Sequence, residues 1–512
     1  MSDELPPGWV ETTLEEVVSR PRSKVVPSDY PDLPFIGMDH IAQDGMELLG
    51  SVPFGKMKSS GGMFFEGDVL YGRMRPYLNK VHRSKTKGAC SAEFIVLPKS
   101  EAIDSDFLAY TLHHRKFVNF ASEQSSGDRP RVDFDALSNY ELSLPPKSEQ
   151  SRIVSKIEEL FSRIDEGERA LERVQKLVER YRQSVLKTAV TGELTREWRE
   201  KQAKSGAAIE NGEALLARIL TARREAWEQA ELGKMKAKGI KPKDDKWKQK
   251  YEQPAPPSTS ELPELPEGWA WASFPQLGVF GRGKSKHRPR NDPKLYGGQY
   301  PFLQTGAIRA SNGRIDAHDT TYNEIGLAQS KLWPKGTICI TIAANIAASG
   351  ILQFDSCFPD SVVGLTPSPD IIGEYIEFFV RTERASLDRY APATAQKNIN
   401  LEILERVAVP LPPLEEQRVI YSKAQEELSK IDDIERTLVR AAVESNALRQ
   451  ATLKAAFLGQ LVTQDPTDEP AIALLERIAT ERAARGGVLV KDRLALESMR
   501  TVTRSEEHTS EL

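Results

Sequence analysis

The sequence predicts two tandem mixed α/β domains, joined by two long helices that form an intramolecular antiparallel coiled coil. Three observations carry this expectation. The chain is written twice, each copy divides into a mixed segment followed by a helical one, and both helical segments place apolar residues along one seam. LPPKSEQSRIVSKIEELFSRIDEGERALER from Leu144 aligns without gaps on LPPLEEQRVIYSKAQEELSKIDDIERTLVR from Leu411. Over 144–195 about 23 of 52 positions are identical, where unrelated chains would share about three, so the likeness is duplication and not shared composition. LPPGW at Leu5 returns as LPEGW at Leu265, PFIGMDHI at Pro34 as PFLQTGAI at Pro301, and ALLARI at Ala214 as ALLERI at Ala473.

In chain order, residues 1–143 form the first mixed domain. Strand-like FIVLP follows Glu93, and DFLAYTLHHRKFVNFAS from Asp106 has helical spacing. Residues 144–195 form the first long helix. Its proline pair stops the preceding strand, and Glu149 suits the positive helix start. Ile153, Ile157, Leu160, Ile164, Leu171 and Val174 follow alternating steps of four and three with Gly167 in the one missing place, and the row runs on through Val178, Tyr181 and Val185, as a coiled-coil seam does. About 40 residues at 1.5 Å each would make a rod of roughly 60 Å.

Residues 196–264 read as a helical and lysine-rich linker, in which GKMKAKGIKPKDDKWKQK from Gly233 is either a solvated connection or a surface that follows a phosphate backbone. Residues 265–410 repeat the mixed domain, with strands at TICITIA and VAVPLPP and a helix at EYIEFFVRTERAS. Residues 411–462 repeat the long helix, whose seam holds Ile420, Ala424, Ile431, Ile434 and Leu438 but also Glu427 and Ser445, so its pairing should be less uniform. Two matching seams in one chain favour pairing within the molecule over a rod between two molecules. Residues 463–503 form a helical tail, and RSEEHTSEL at 504–512 reads as a non-native, adapter-derived tail set apart from the fold.

Composition excludes several classes of function. No run of about eighteen apolar residues could span a bilayer, and the acidic opening MSDELPPGWV is not a secretory signal, so a cytoplasmic location is expected. Cys90, Cys339 and Cys357 form no C-x-x-C pair, and the seven histidines lack metal-ligand spacing, so no metal site is expected. With 70 basic against 74 acidic side chains, a nucleic-acid surface must be local.

GVFGRGKS, Gly278–Ser285, matches the phosphate-loop pattern G-x-x-x-x-G-K-[ST]. That motif works between a buried strand and a helix, yet Pro275 breaks the residues before it and Pro289 and Pro293 those after. The first copy has SRPRSK at the corresponding place. The shared feature is a cationic loop before the first strand, which suits phosphate in a nucleic-acid backbone better than a nucleotide.

With tandem mixed domains each followed by L-P-P-x-x-E-Q, the helix ends KTAVTGEL and KAAFLGQL, and GDVLYGRMRPYLNKV in the first domain, the sequence resembles the specificity subunit of type I restriction-modification systems. The resemblance spans nearly the whole chain. It implies that each mixed domain reads one half of a split target in double-stranded DNA, while the paired helices set the unread spacer. It implies a non-catalytic scaffold that binds no cofactor itself, places two modification subunits carrying S-adenosylmethionine, and recruits restriction subunits that use ATP and Mg. The absence of a [DN]-P-P-[FYW] amino-methylation motif agrees with that.

Under this resemblance the candidate DNA contacts fall in clusters. In the first domain they are Arg73, Arg75, Tyr77, Asn79 and Lys80, in a loop stiffened by Pro76, with Arg129 and Arg131 from GDRPR. In the second they are Arg282, Lys284, Lys286, Arg288 and Arg290, then Gln304, Thr305 and Arg309, then Gln396, Lys397 and Asn398. Guanidinium forks suit guanine edges or phosphates, and amides suit adenine. Each residue could equally serve an ordinary turn or a buried polar network. Two rival readings are a coiled-coil adaptor that reads no DNA, and a nucleotide-binding enzyme built on Lys284.

Overall fold

The computed structural model describes residues 5–481 apart from 20–23, 126, 207, 243, 261, 344–346 and 390–398. It divides into two units, Met1–Glu172 with Val439–Leu512, and Arg173–Leu438. Each is mixed α/β. The long helices are Lys147–Val190 and Leu414–Phe457, and each contributes one part of its length to each unit.

Both units open and close in the same way. Val10–Thr13 pairs antiparallel with Glu141–Leu144 in the first, Val10 opposite Leu144, and Ala270–Ser273 pairs with Ala408–Leu411 in the second, Ala270 opposite Leu411. A one-turn helix follows each first strand because both copies carry a capping box: the Thr13 amide donates to Glu16 Oε2 at 3.1 Å, and the Ser273 amide to Gln276 Oε1 at 2.9 Å.

In the first unit, the apolar runs Val69–Gly72 and Phe94–Leu97 are buried throughout and pair in a three-stranded sheet with Val81–Arg83. A five-stranded sheet takes the order Lys24–Val25, Gly61–Phe64, Gly88–Cys90, Pro34–Ile36, Val52–Pro53. The single helix expected from Asp106 is two, Ser105–His113 and Arg115–Glu123, because His114 adopts an extended backbone between them. Their faces bury Phe107, Leu112 and Phe117 with Ile153 and Ile157 of the first long helix and Leu453 and Ala456 of the second.

The second unit is built on a five-stranded sheet in the order Gly278–Arg282, Val362–Pro367, Ile338–Thr341, Ser349–Leu352, Gly313–Ile315. Its core joins Ile338, Ile340, Val363 and Leu365 to Tyr375 and Phe379, and then to Ile420, Ala424 and Ile431 of the second long helix.

The repeated L-P-P-x-x-E-Q segment is a fastening in both units. Glu149 accepts from Trp9 Nε1 at 3.1 Å and Gln464 Nε2 at 3.3 Å, while Glu416 accepts from Trp269 Nε1 at 2.8 Å, Thr195 Oγ1 at 2.7 Å and Arg199 Nη1 at 2.5 Å. Gln150 takes the Asp104 amide and gives to Pro145 O, as Gln417 takes the Ile372 amide and gives to Pro412 O. Beyond each long helix a further segment docks on the x-G-W motif: the Ala471 amide donates to Gly8 O at 2.9 Å, and the Gly212 amide to Gly268 O at 2.7 Å. The approach at Gly212 is so close that a Cβ there would lie 2.4 Å from Leu411 O.

Within each unit the two long helices run antiparallel. In the first, Arg449 reaches Asp165 and Glu168, and Ser445 Oγ donates to Glu168 at 2.7 Å. In the second, Tyr181 donates to Glu427 at 2.8 Å, and Arg182 to Asp432 at 2.6 Å and Glu435 at 3.0 Å. Ile153, Ile157, Ile164, Ile420, Ala424 and Ile431 are buried as the seam requires, and Leu160, Leu171 and Leu438 are half-buried. Val174 and Ile434 are corrections, since both are exposed, at 40% and 42%. The seam is made of two seven-residue rows that drift about 20° per heptad around a straight α-helix, and the drift carries one of them, with Val174, Tyr181 and Ile434, off the facing side while the other, with Ile164, Val178, Ala424 and Ile431, stays on it. Val178, Arg182 and Val185 then face inward on the first helix, and Leu428, Ile431 and half-buried Glu435 on the second.

One buried acid links the second unit to pH. Burial pushes the Glu377 carboxyl up to about 7, opposed only in part by Arg381 Nε at 3.9 Å and the Ser349 hydroxyl at 3.2 Å. The unfolded chain ionises first, near 4.5, so stability linked to this group is fully present below about 4.5, falls as pH rises to about 7 and is level above. Glu377→Gln is therefore expected to flatten that slope and to raise stability near pH 8 by about 3 kcal/mol, at about 1.4 kcal/mol per pH unit. Urea unfolding at acid and alkaline pH measures it. An unchanged slope would remove Glu377 as its source.

Candidate nucleic-acid interface

In the first unit the hairpin between Val69–Gly72 and Val81–Arg83 carries residues 73–80. A 3₁₀ turn, Pro76–Leu78, sits between Arg75 and Asn79, which both hold left-handed backbones, at φ 54° and 47°. Such conformations are uncommon outside glycine, and here neighbours impose them. The Arg75 amide donates to Pro130 O at 2.7 Å, and Met74 bridges Arg131, so GDRPR and GRMRPYLNK lie together. Arg131 forks onto Glu93 at 2.7 and 3.0 Å, and that bond holds the Glu93 carboxyl below its usual range.

Arg75, Tyr77 and Arg129 are exposed, Tyr77 at 56%, while Arg73 is half-buried. Asn79 is a correction. It is 5% exposed, and its amide nitrogen donates to Asp44 at 2.8 Å and His113 O at 3.0 Å, so it builds the loop and cannot reach a base edge. Lys80 is likewise engaged, its ammonium donating to Met38 O at 2.5 Å.

In the second unit Gly278–Arg282 is a strand at the sheet edge, paired with Val362–Pro367. The rival phosphate-loop reading fails as its flanking prolines implied, because the glycines lie in or beside an edge strand and no helix follows. Ser285 is 4% exposed, with its hydroxyl 3.5 Å from that of Tyr322, and is unavailable to a metal-bound phosphate. Arg282, Lys284 and Lys286 are exposed. Arg288 folds back, donating to Ser285 O at 2.7 Å and His287 O at 2.8 Å, and Arg290 pairs with Asp360 at 2.5 Å.

The Lys284 amide donates to Phe358 O and the Leu303 amide to Cys357 O, so the basic loop and Gln304 leave the core from adjacent residues at the end of the strand Ser356–Cys357. Gln304 and Arg309 are exposed and Thr305 half-exposed on the helix Thr305–Ala310 and its cap. Gln396, Lys397 and Asn398 lie outside the described residues. The sequence reading missed Glu93 and Asp360, the acids that hold Arg131 and Arg290. They stand 38 and 70 residues away from those arginines, with no local pattern to signal them.

Among the described residues no cluster of His, Cys, Asp and Glu could hold a metal ion, and no helix is long and apolar enough to cross a membrane. What the two units have in common is a pair of adjoining polar loops with exposed guanidinium or ammonium groups, fixed by backbone bonds. Such loops can hold phosphates by charge and base edges by directed donors.

The family model for the type I restriction modification DNA specificity domain matches residues 6–175 and again 267–442. Over 396 residues the chain is 25% identical to the specificity subunit of the Escherichia coli type I restriction enzyme EcoDI, covering 75% of this chain and 78% of that one. A chain solved in work on complex assembly and conformational transition of the type I restriction-modification system shares the fold at a TM-score of 0.65 and 19% identity, over 90% of this chain and all of that one. The HsdS subunit from Thermoanaerobacter tengcongensis does so at 0.52 and 21%, over 89% and 98%.

Proposed function

The chain belongs to the family of type I restriction-modification DNA specificity proteins, and from that premise we propose that its two units each read one half of a split DNA target. The observation that carries this is the duplication itself: each copy of the fastening motifs frames a mixed α/β unit, and each unit presents its own fixed polar loops. In the first unit the proposed contacts are Arg75, Tyr77 and Arg129, with Arg73 and Arg131 at their base. In the second they are Arg282, Lys284, Lys286, Gln304, Thr305 and Arg309, with Arg288 and Arg290 shaping the loop and Gln396, Lys397 and Asn398 retained from the sequence.

The two long helices would act as one antiparallel coiled coil that sets the spacer, a reading supported by their 44-residue lengths and by the antiparallel ion pairs within each unit. On this reading the chain performs no chemistry. Two modification subunits would supply methyl transfer from S-adenosylmethionine, and restriction subunits would supply ATP- and Mg-dependent cleavage.

The test is methylation mapping in a host free of adenine methylation, with the chain expressed beside its modification subunit. One bipartite motif is expected, absent when the chain is omitted, and fading in one half only when Arg75 is replaced by alanine, at about 1–3 kcal/mol per lost base contact. A stable complex that methylates no motif would favour the adaptor reading.

A further inference from the structure

Away from the polar loops, the second unit holds a cavity of about 750 Å³ between the helix Gly212–Ala237 and the first residues of the edge strand Gly278–Arg282. Small-molecule sites commonly enclose roughly 300–1,000 Å³. The walls are mainly apolar, with Ile219, Trp227, Tyr251, Val279 and Pro367 facing the space. Trp227 is held by stacking on Trp247, ring centres 6.0 Å apart, and by Tyr251 at 5.4 Å. Val279 is 57% exposed in this wall, an apolar surface that nothing within the unit covers.

Trp227 belongs to one copy of the repeat alone: carrying the ALLARI and ALLERI alignment onward sets it against Gly486, so the shared architecture does not require it. One cation is fixed in the wall. Arg223 donates through Nη1 to Pro275 O at 2.7 Å and Gly278 O at 2.5 Å, which sets the guanidinium plane. Its Nε and Nη2 have no acceptor among the described residues. Lys250 adds a second cation at the lining, and Glu252 is the one carboxylate there. A rigid guanidinium with open donors beside apolar walls favours an anionic group on a flat apolar body.

We propose that this cavity binds a small aromatic anion, its ring system against Trp227, Tyr251 and Val279 and its carboxylate or sulfonate on Arg223. The site is separate from the proposed DNA contacts and does not depend on them. The full chain titrated with the fluorescent probe anilinonaphthalene sulfonate should show one saturable site, with energy transfer from tryptophan. Ala226→Phe, which fills the cavity from the helix side, should weaken binding at least tenfold with the thermal unfolding midpoint unchanged. Val279→Phe fills it from the strand side, and keeps the test open should the first variant not fold. The neutral analogue phenylnaphthylamine should bind at least tenfold more weakly than the sulfonate. Probe binding unaffected by either filling, or equal binding of the neutral analogue, would overturn the proposal.

Discussion

Glu416→Ala is expected to destabilise the second unit by about 3–5 kcal/mol, the range for breaking a buried ion pair from one side. The carboxylate is 1% exposed and receives three donors, one of them the Arg199 guanidinium. Its loss strands the Trp269 indole N–H, leaves the Thr195 hydroxyl only its longer bond to Gly192 O at 3.4 Å, and leaves a largely covered cation without its counter-charge. Glu149→Ala in the first unit should cost less, about 1–3 kcal/mol, because the donors it abandons, on Trp9 and Gln464, are neutral. Burial also raises the Glu149 carboxyl above its ordinary range, so desolvation already offsets part of what its bonds contribute. Denaturant unfolding of the full chain, followed by tryptophan fluorescence, measures both. Equal losses would mean that Arg199 adds nothing to the fastening.

Replacing residues 1–143 by the corresponding segment of a relative with another target should change one half of the methylated motif and leave the other intact. A mismatched base pair typically costs about 1–3 kcal/mol, so a half-site differing at three positions would lose at least roughly 3 kcal/mol, more than a hundredfold in affinity. The joint is physically reasonable because Leu144 closes the strand pair opposite Val10, after which the chain enters the long helix. The outcome is again read by methylation mapping. A change in both halves would show that the units do not read independently.

Much of this architecture was legible because duplication repeats a signal that one copy would leave ambiguous. The strands at FIVLP and TICITIA, and both long helices, follow from apolar periodicity. The partners of the fastening were not, although the signal was present: tryptophan recurs in LPPGW and LPEGW as faithfully as glutamate in L-P-P-x-x-E-Q, but spacing alone does not pair Trp9 with Glu149 across 140 residues. Asn79 misled because a left-handed turn and a base-reading loop both favour asparagine. Val174 and Ile434 misled because an ideal seven-residue row ignores the drift of a straight helix. The phosphate-loop match failed for the reason its own context gave, since prolines bound it on both sides.

The fastening also fixes an order of events on the ribosome. The second unit is continuous, Arg173–Leu438, and can close once that stretch has been made. The first cannot, because Glu149 waits for Gln464, Arg152 for Asp468, and Ile153 and Ile157 for Leu453 and Ala456. At about 5–20 residues per second, the 266 residues between Glu172 and Val439 (438 minus 172) take roughly 13–53 s to synthesise. Throughout that interval the first unit stands with an uncovered apolar face, which Leu453, Ala456 and the residues that follow them then seal.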